Sequence, residues 1–142
     1  MKTSLITQIF VLILCSSGLF AQEAMVADSL HVKVTGHKKV AGSTLYVALV
    51  DADDKEVGQA NVAVDGTEEE LHFSVAINGT STVAVRMFQD LDGDEEMGRG
   101  AFGIPNEPFG FSNNPEIRFG PPALSKMLVD LKEKDHIHII MQ

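Results

Sequence analysis

Apolar and polar residues alternate with a period of two in most segments between residue 29 and the end of the chain. Such alternation is typical of antiparallel strands that cover a core with one face and meet solvent with the other. It predicts about seven strands, at 29–35, 45–50, 61–64, 71–77, 83–89, 127–131 and 136–141. The stretch 124–129 also fits a single helical turn at its start. A helical period of greater length is not present in the sequence.

These strands predict an all-β domain over residues 29–142, preceded by a flexible segment at 22–28. About seven short strands in a chain of this length favour a single antiparallel β-sandwich with immunoglobulin-like or transthyretin-like topology. Asn78-Gly79 directly follows an alternating run. This dipeptide is a strong signal for a β-hairpin, because a type I′ turn needs positive φ at both central positions. We therefore expect the strands at 71–77 and 83–89 to pair with each other.

Residues 90–122 interrupt the alternation. They contain all five prolines of the chain, six of its 12 glycines and four of its eight phenylalanines. Connections this long are either disordered or functional, and disordered segments are poor in aromatic residues. The four rings need packing partners, so we expect an ordered loop that lies over one end or edge of the sandwich.

The N-terminus has the pattern of a secretory signal peptide over residues 1–21. Lys2 is followed by an apolar run and by small residues, with cleavage expected after Ala21 or, failing that, after Ala24. The apolar run is shorter than the roughly 20 residues that a membrane-spanning helix requires. Cys15 suggests a lipoprotein signal instead, but Leu14 precedes it where such signals have a small residue. We expect an exported protein in the periplasm or outside the cell.

Composition narrows the range of partners. The formal net charge is −9, and removal of residues 1–21 takes away one Lys and no acid, which makes it −10. An acidic chain of this kind is unsuited to nucleic acid, whose phosphates require Lys and Arg, and it suits cations or basic partners. The only cysteine is Cys15, so the exported domain would fold without a disulfide.

The segment Asp90-Leu91-Asp92-Gly93-Asp94 matches the first half of a calcium loop, in which acids alternate as the chain wraps around the ion. The second half does not match an EF-hand, because Glu95 stands where Gly is needed and Ala101 where a bidentate Glu is needed. Two readings stay open. Asp90, Asp92 and Asp94 form a calcium site completed by Glu107 or by a backbone carbonyl near Glu96, or they form a solvated acidic turn.

A longer set of motifs surrounds this turn. It runs from Val83-Ala84-Val85 through the acidic turn to Gly103-Ile104-Pro105-Asn106-Glu107, then to Gly110-Phe111-Ser112-Asn113-Asn114 and Phe119-Gly120-Pro121-Pro122. In this order the motifs resemble the DUF2141 family, exported bacterial proteins of unknown function. The resemblance implies an exported β-sandwich and no particular activity. Gln89 stands where members often have His, Asp92 and Asp94 replace Asn, and Gly98 replaces a late Asp.

Two further groups of residues are candidates for binding. Phe109 and Phe111, with Asn113 and Asn114, have the composition of a platform for a sugar or a peptide. In the alternative reading the rings close the end of the sandwich and the Asn side chains cap turns.

His136 and His138 lie at i and i+2 on one strand face, a spacing that suits zinc, with a third ligand conceivable from His31, His37 or His72. The alternative is that both are ordinary solvent-facing residues, because the intervening Ile residues occupy the core side.

The sequence contains no nucleophile elbow, metalloprotease helix or phosphate loop. The patterns therefore favour a non-catalytic binding or assembly module, whose partner is an unknown protein or glycan at the cell envelope. The alternative is a small extracytoplasmic hydrolase that uses Asp90, Asp92 or Glu107. A structural domain without any ligand is a third possibility.

Overall fold

The computed structural model describes residues 27–142. The predicted signal peptide, its cleavage positions, Cys15 and most of the segment 22–28 lie outside these residues. Eight strands are present: β1 Ser29–Thr35, β2 Thr44–Val50, β3 Glu56–Ala63, β4 Leu71–Ala76, β5 Thr82–Asp90, β6 Phe109–Phe111, β7 Val129–Asp130 and β8 His136–Ile140. A short helix, α1, spans Leu124–Met127, and a 3₁₀ turn spans Ala101–Gly103.

The strands form two sheets, as the alternation predicts. The smaller sheet has the order β4-β1-β8 and the larger sheet has the order β3-β2-β5-β6, with β7 paired to β5. Apolar side chains of both sheets meet in one core, whose fully buried members include Leu30, Val34, Leu45, Leu49, Val83, Val85 and Ile139. The all-β fold in two sheets is confirmed, whereas an immunoglobulin-like or transthyretin-like topology stays a prediction.

One strand pair departs from the antiparallel pattern. β1 and β8 run parallel, with His31 opposite His136 and Lys33 opposite His138. β8 arrives by a long connection from the other end of the chain, which a parallel pair requires. Past β8, Gln142 exchanges backbone hydrogen bonds with Phe109 at 2.8 and 3.2 Å, so β6 is joined to the chain end that follows the smaller sheet.

The hairpin expected at Asn78-Gly79 is wrong. β4 pairs with β1 and β5 pairs with β2, so the two strands lie in different sheets. Gly79 has a φ of 69°, but Asn78 is absent from the residues with positive φ, so the turn lacks the type I′ geometry. The Asn78 amide instead donates to the Val57 carbonyl of β3 at 3.0 Å. The turn therefore crosses between the sheets.

Two strands differ from their predicted extent. β3 begins at Glu56, five residues before the predicted start, and includes Gly58. A side chain at Gly58 would place its Cβ 2.4 Å from the Ala76 carbonyl oxygen, so this corner of the two sheets admits only glycine. The predicted strand 127–131 is reduced to β7, because α1 occupies its start.

Residues 90–122 contain more regular structure than a loop, since β6 lies within them and Arg99 forms a bridge with Pro105. The expectation that all four rings pack is wrong for two of them. Phe102 is 100% exposed and Phe119 is 99% exposed, because both lie on chain outside the sheets. Within residues 27–142, no helix is long and apolar enough to span a membrane.

Candidate cation site at the end of β5

Asp90 is the last residue of β5 and organises the turn that follows. Its side chain is buried, and its Oδ1 accepts hydrogen bonds from the backbone N–H groups of Asp92 at 3.2 Å and Gly93 at 2.7 Å. Its Oδ2 accepts a third bond from the Glu95 N–H at 3.0 Å. A short acidic side chain that accepts from the following amides is a common device for folding a turn. Here it folds the chain around a single carboxylate.

Glu107 holds the two ends of this turn together. Its Oε1 accepts from the Leu91 N–H and its Oε2 from the Gly98 N–H, both at 2.8 Å, and the side chain is buried. Pro108 brings it there, because the Pro108 carbonyl accepts from the Gln89 N–H at 2.8 Å as β6 begins. Glu107 is therefore a clamp across residues 91–98.

The turn adopts a left-handed conformation at the position where the sequence lacks the glycine of an EF-hand loop. Glu95 has a φ of 64°, in the left-handed region that glycine normally provides at the sharp turn of such loops. Gly93, two residues earlier, has a φ of 81°. The chain thus makes the sharp turn despite the missing glycine.

Three of the four predicted ligands come together. Asp90, Asp92 and Glu107 each offer one carboxylate oxygen, and these three atoms lie within 4.8 Å of one another. Calcium–oxygen distances are about 2.3–2.6 Å, so two ligands of one ion are at most about 5 Å apart. Asp94 is outside the group; it is exposed, and its Oδ1 accepts from the Glu96 N–H at 2.8 Å.

The oxygens of the cluster retain capacity for an ion. Each carboxylate oxygen has about two lone pairs. The two Glu107 oxygens and Asp90 Oδ2 each accept one bond in the structure, whereas Asp90 Oδ1 accepts two. Among the described residues, no Lys, Arg or His forms an ion pair with Asp90, Asp92 or Glu107. The negative charge of the cluster therefore has no side-chain counterion there.

The pKa values of two members move in opposite directions. Burial raises the pKa of the Asp90 carboxyl, but hydrogen bonds from backbone N–H groups, chiefly those of Gly93, Glu95 and Asp92, outweigh it and leave the pKa lowered. For Asp92, the bond from the Asp94 N–H lowers the pKa, but desolvation and the nearby carboxylates of Asp94, Glu107 and Asp90 together raise it. The raised pKa of Asp92 therefore reflects its desolvation and the repulsion from the neighbouring carboxylates.

A row of aromatic side chains lies on the outer face of the larger sheet, the face that also carries Asp90. Tyr46, Phe88 and Phe109 are opposite one another on β2, β5 and β6, and all three are half-buried. Tyr46 and Phe88 stack with ring centroids 5.2 Å apart, and Phe109 meets Phe111 edge-on at 5.9 Å, so Phe111 extends the row along β6. Phe88 and Asp90 share this face because side chains alternate along a strand. The row therefore leads into the acidic turn.

The two Asn residues of the predicted platform have backbone partners. Asn113 donates from Nδ2 to the carbonyls of Lys126 and Leu128 at 3.3 and 2.9 Å. Asn114 donates to the His138 carbonyl at 2.9 Å and accepts from the Ile140 N–H at 2.8 Å, so its amide pairs with the edge of β8 as a strand would. Of the four platform residues, Phe109 and Phe111 are the ones on the aromatic row.

Comparison with family models identifies the chain. A model described as "Uncharacterized protein conserved in bacteria (DUF2141)" matches residues 32–138. The chain belongs to the DUF2141 family. Comparisons with curated proteins and with solved structures give no significant match. The resemblance noted from the motifs around the acidic turn is confirmed, and the match extends it to strands β1–β4, which the motifs did not cover.

Gln89 has a structural role in this DUF2141 chain. The residue is fully buried, and its Oε1 accepts from the Lys38 N–H at 2.8 Å. Its Nε2 donates to the Lys38 carbonyl at 2.7 Å and to Ser43 Oγ at 2.8 Å. Gln89 thus fixes the 38–43 connection at the end of β5, next to Asp90.

Two members of the aromatic row in this DUF2141 protein, Tyr46 and Phe88, were not predicted from the sequence. Both occupy the polar-side positions of clearly alternating strands. Each is an aromatic residue on the solvent side of a strand, a position that normally carries a polar side chain. This feature of the sequence could have indicated the aromatic row.

Proposed function

We propose that the protein is an exported, non-catalytic binding module of the cell envelope, in which a calcium ion bound by Asp90, Asp92 and Glu107 stabilises the segment that follows β5. The observation that carries the calcium proposal is the convergence of three carboxylates, two of them buried, with no cationic side chain paired to them among the described residues. Oxygen ligands of this kind select hard cations, and calcium accepts the irregular geometry of a loop.

Electrostatics favours an ion at this place. Like charges about 5 Å apart repel by roughly 1 kcal/mol in water and by roughly 3 kcal/mol at an effective dielectric near 20. A net hydrogen bond to a charged group contributes about 1.5–3 kcal/mol, so the repulsion is comparable with what holds the turn together. A divalent cation removes the repulsion and leaves the hydrogen bonds in place.

The binding role is supported by the surface beside the ion site. The row of Tyr46, Phe88, Phe109 and Phe111 is half-buried and continuous with the acidic turn. Aromatic side chains are enriched where proteins meet partners, because they bring a large contact area at a low entropy cost. We propose that this row contacts the protein or glycan partner. The calcium ion would then fix the position of residues 90–98 beside the aromatic row.

Calcium binding is tested by thermal unfolding in EDTA and in increasing calcium, with calorimetry for stoichiometry. A ligand at about 100 times its Kd stabilises the folded state by about 2.7 kcal/mol. We expect one ion per chain, and we expect Asp90→Asn and Asp92→Asn to abolish the rise in Tm. Glu96→Gln is the matched control, because it removes the same charge from the same turn outside the cluster. Equal melting curves in calcium and EDTA would refute the calcium proposal.

The contact surface is tested separately. Replacement of both Phe109 and Phe111 by Ala should abolish binding to immobilised envelope glycans or proteins, with the calcium response preserved. A loss of stability without any change in binding would assign the two rings to packing. Turnover in a hydrolase substrate screen that is lost in Asp92→Asn would replace the binding module with the hydrolase alternative.

A further inference from the structure

Four of the five histidines lie together on the outer face of the smaller sheet. His31 is opposite Ser74 and His136, while Lys33, two residues along β1, is opposite His72 and His138. The four histidines are exposed, and they line an open hollow of about 580 Å³ together with Lys33. The fifth, His37, is buried in the connection after β1 and does not line the hollow. The face is separate from the acidic turn and from the aromatic row, which belong to the larger sheet.

A stacked pair of histidine rings on this face joins two strands. The rings of His31 and His136 stack with centroids 4.5 Å apart and planes inclined by 26°. The i, i+2 spacing in the sequence suggests His136 and His138 as a pair, but the parallel pairing of β1 with β8 places His31 beside His136 instead. This neighbour becomes visible only once the strand register is known.

The hydrogen bonds of the two rings leave equivalent nitrogens available. His136 Nδ1 lies 2.5 Å from Asp135 Oδ1, and His31 Nδ1 lies 2.6 Å from Ser74 Oγ. A carboxylate only accepts, so His136 Nδ1 donates and Nε2 keeps its lone pair in the neutral ring. When His31 Nδ1 donates to the Ser74 hydroxyl, its Nε2 has a lone pair too. Neither Nε2 has a hydrogen-bond partner among the described residues.

This arrangement is the one that metal-binding histidines use. Such a histidine binds the ion through one nitrogen and donates its other N–H to a carboxylate or another oxygen, which fixes the ring and its tautomer. Asp135 and Ser74 stand in those outer positions. The neighbouring cation is already paired, because Lys33 Nζ lies 2.6 Å from Glu70 Oε1.

We propose that His31 and His136 form a binding site for a divalent transition-metal ion, through the two Nε2 atoms, with water completing the coordination. The rings are stacked in the structure, so binding would turn each ring out of the stack about its Nδ1 hydrogen bond until both lone pairs converge on one ion about 2.0–2.1 Å from each nitrogen. Exposed side chains permit this movement, and 73% of the His136 side chain is exposed. Imidazole suits copper and zinc, and copper(II) has the higher affinity of the two.

The experiment uses Cu²⁺ as the probe, with excess calcium present to occupy oxygen ligands. Affinity is measured by calorimetry, and the number of bound nitrogens by electron paramagnetic resonance. We expect two equatorial imidazole nitrogens in the unmodified protein and one in His31→Ala and in His136→Ala. Each variant should lose about tenfold or more in affinity, which corresponds to about 1.4 kcal/mol or more.

His72→Ala and His138→Ala are the matched controls, because both residues line the same hollow. Their Cu²⁺ affinities should stay within about twofold of the unmodified protein, and melting curves show that each variant is folded. A loss in His138→Ala with none in His31→Ala would overturn the proposal in favour of a chelate along β8. Equal affinity in His31→Ala and the unmodified protein, or no Cu²⁺ binding, would also overturn it. The calcium response of Asp90 variants is independent of every one of these outcomes.

Discussion

Glu95 is the residue at which a single substitution tests the geometry of the acidic turn. Its φ of 64° lies in the left-handed region, which costs a non-glycine residue roughly 1–2 kcal/mol. Glycine relieves this strain, although its greater freedom in the unfolded chain costs about 0.5–1 kcal/mol. Glu95→Gly should therefore stabilise the protein by about 0.5–1 kcal/mol, and at this chain length Tm should rise by about 2–5 °C.

Urea and thermal unfolding in EDTA measure the effect, and two controls isolate its cause. Glu95→Gln removes the charge but keeps the strain, so any gain common to Gln and Gly is electrostatic. Glu96→Gly introduces glycine at the next position, which is absent from the residues with positive φ, and should destabilise by about 0.5–1 kcal/mol. If Glu95→Gly were no more stable than Glu95→Gln, the left-handed turn would be refuted. Calcium should still stabilise Glu95→Gly, because Glu95 is outside the proposed ligand set.

Three further predictions concern the same end of the sandwich. Glu107→Gln should speed hydrogen exchange at the Leu91 or the Gly98 amide, because one of these two N–H groups would face an NH₂ group; unchanged exchange at both would contradict the clamp. Gly110→Ala should lower Tm, because its Cβ would lie 2.7 Å from the Ile139 Cγ2 in the core; an unchanged Tm would refute this contact. Hydrogen bonds lower the pKa of Asp90 against the effect of burial, so its contribution to stability is present above pH about 4 and is lost as pH falls through the lower folded pKa. Asp90→Asn should flatten the dependence of Tm on pH in this acid range, and an unaltered slope would contradict it.

Alternation predicted the strands whose apolar side chains cover the core with one face. It failed for strands that such side chains do not mark. β1, β2 and β5 were found near their predicted bounds because inward positions such as Leu30 and Leu45 are fully buried. The predicted β3 was too short, because Gly58 has no side chain to mark the inward face of the strand. β6 was missed because its three residues form a strand through pairing with distant parts of the chain, β5 and Gln142.

The candidate site was predictable where its residues are neighbours in sequence. Asp90 and Asp92 follow from their spacing, and Glu107 was a candidate to complete the set. Its role as a clamp was not predictable, because it depends on the pairing of Gln89 with Pro108. The contact of His31 with His136 depends in the same way on the register of two strands that lie far apart in the chain. Such pairings are chosen by the packing of the whole core, which no local pattern encodes.

A proton on Asp90 would not replace a cation in the acidic turn. The backbone N–H groups of Leu91, Gly93, Glu95 and Gly98 donate to the Asp90 and Glu107 carboxylates. Protonation would neutralise the repulsion but would place a donor where the turn needs an acceptor, and the lowered pKa of Asp90 expresses this preference. A metal ion instead uses lone pairs that the N–H groups leave unoccupied. The hydrogen bonds that lower the pKa of Asp90 would therefore favour a cation over a proton as the way to relieve the charge at this residue.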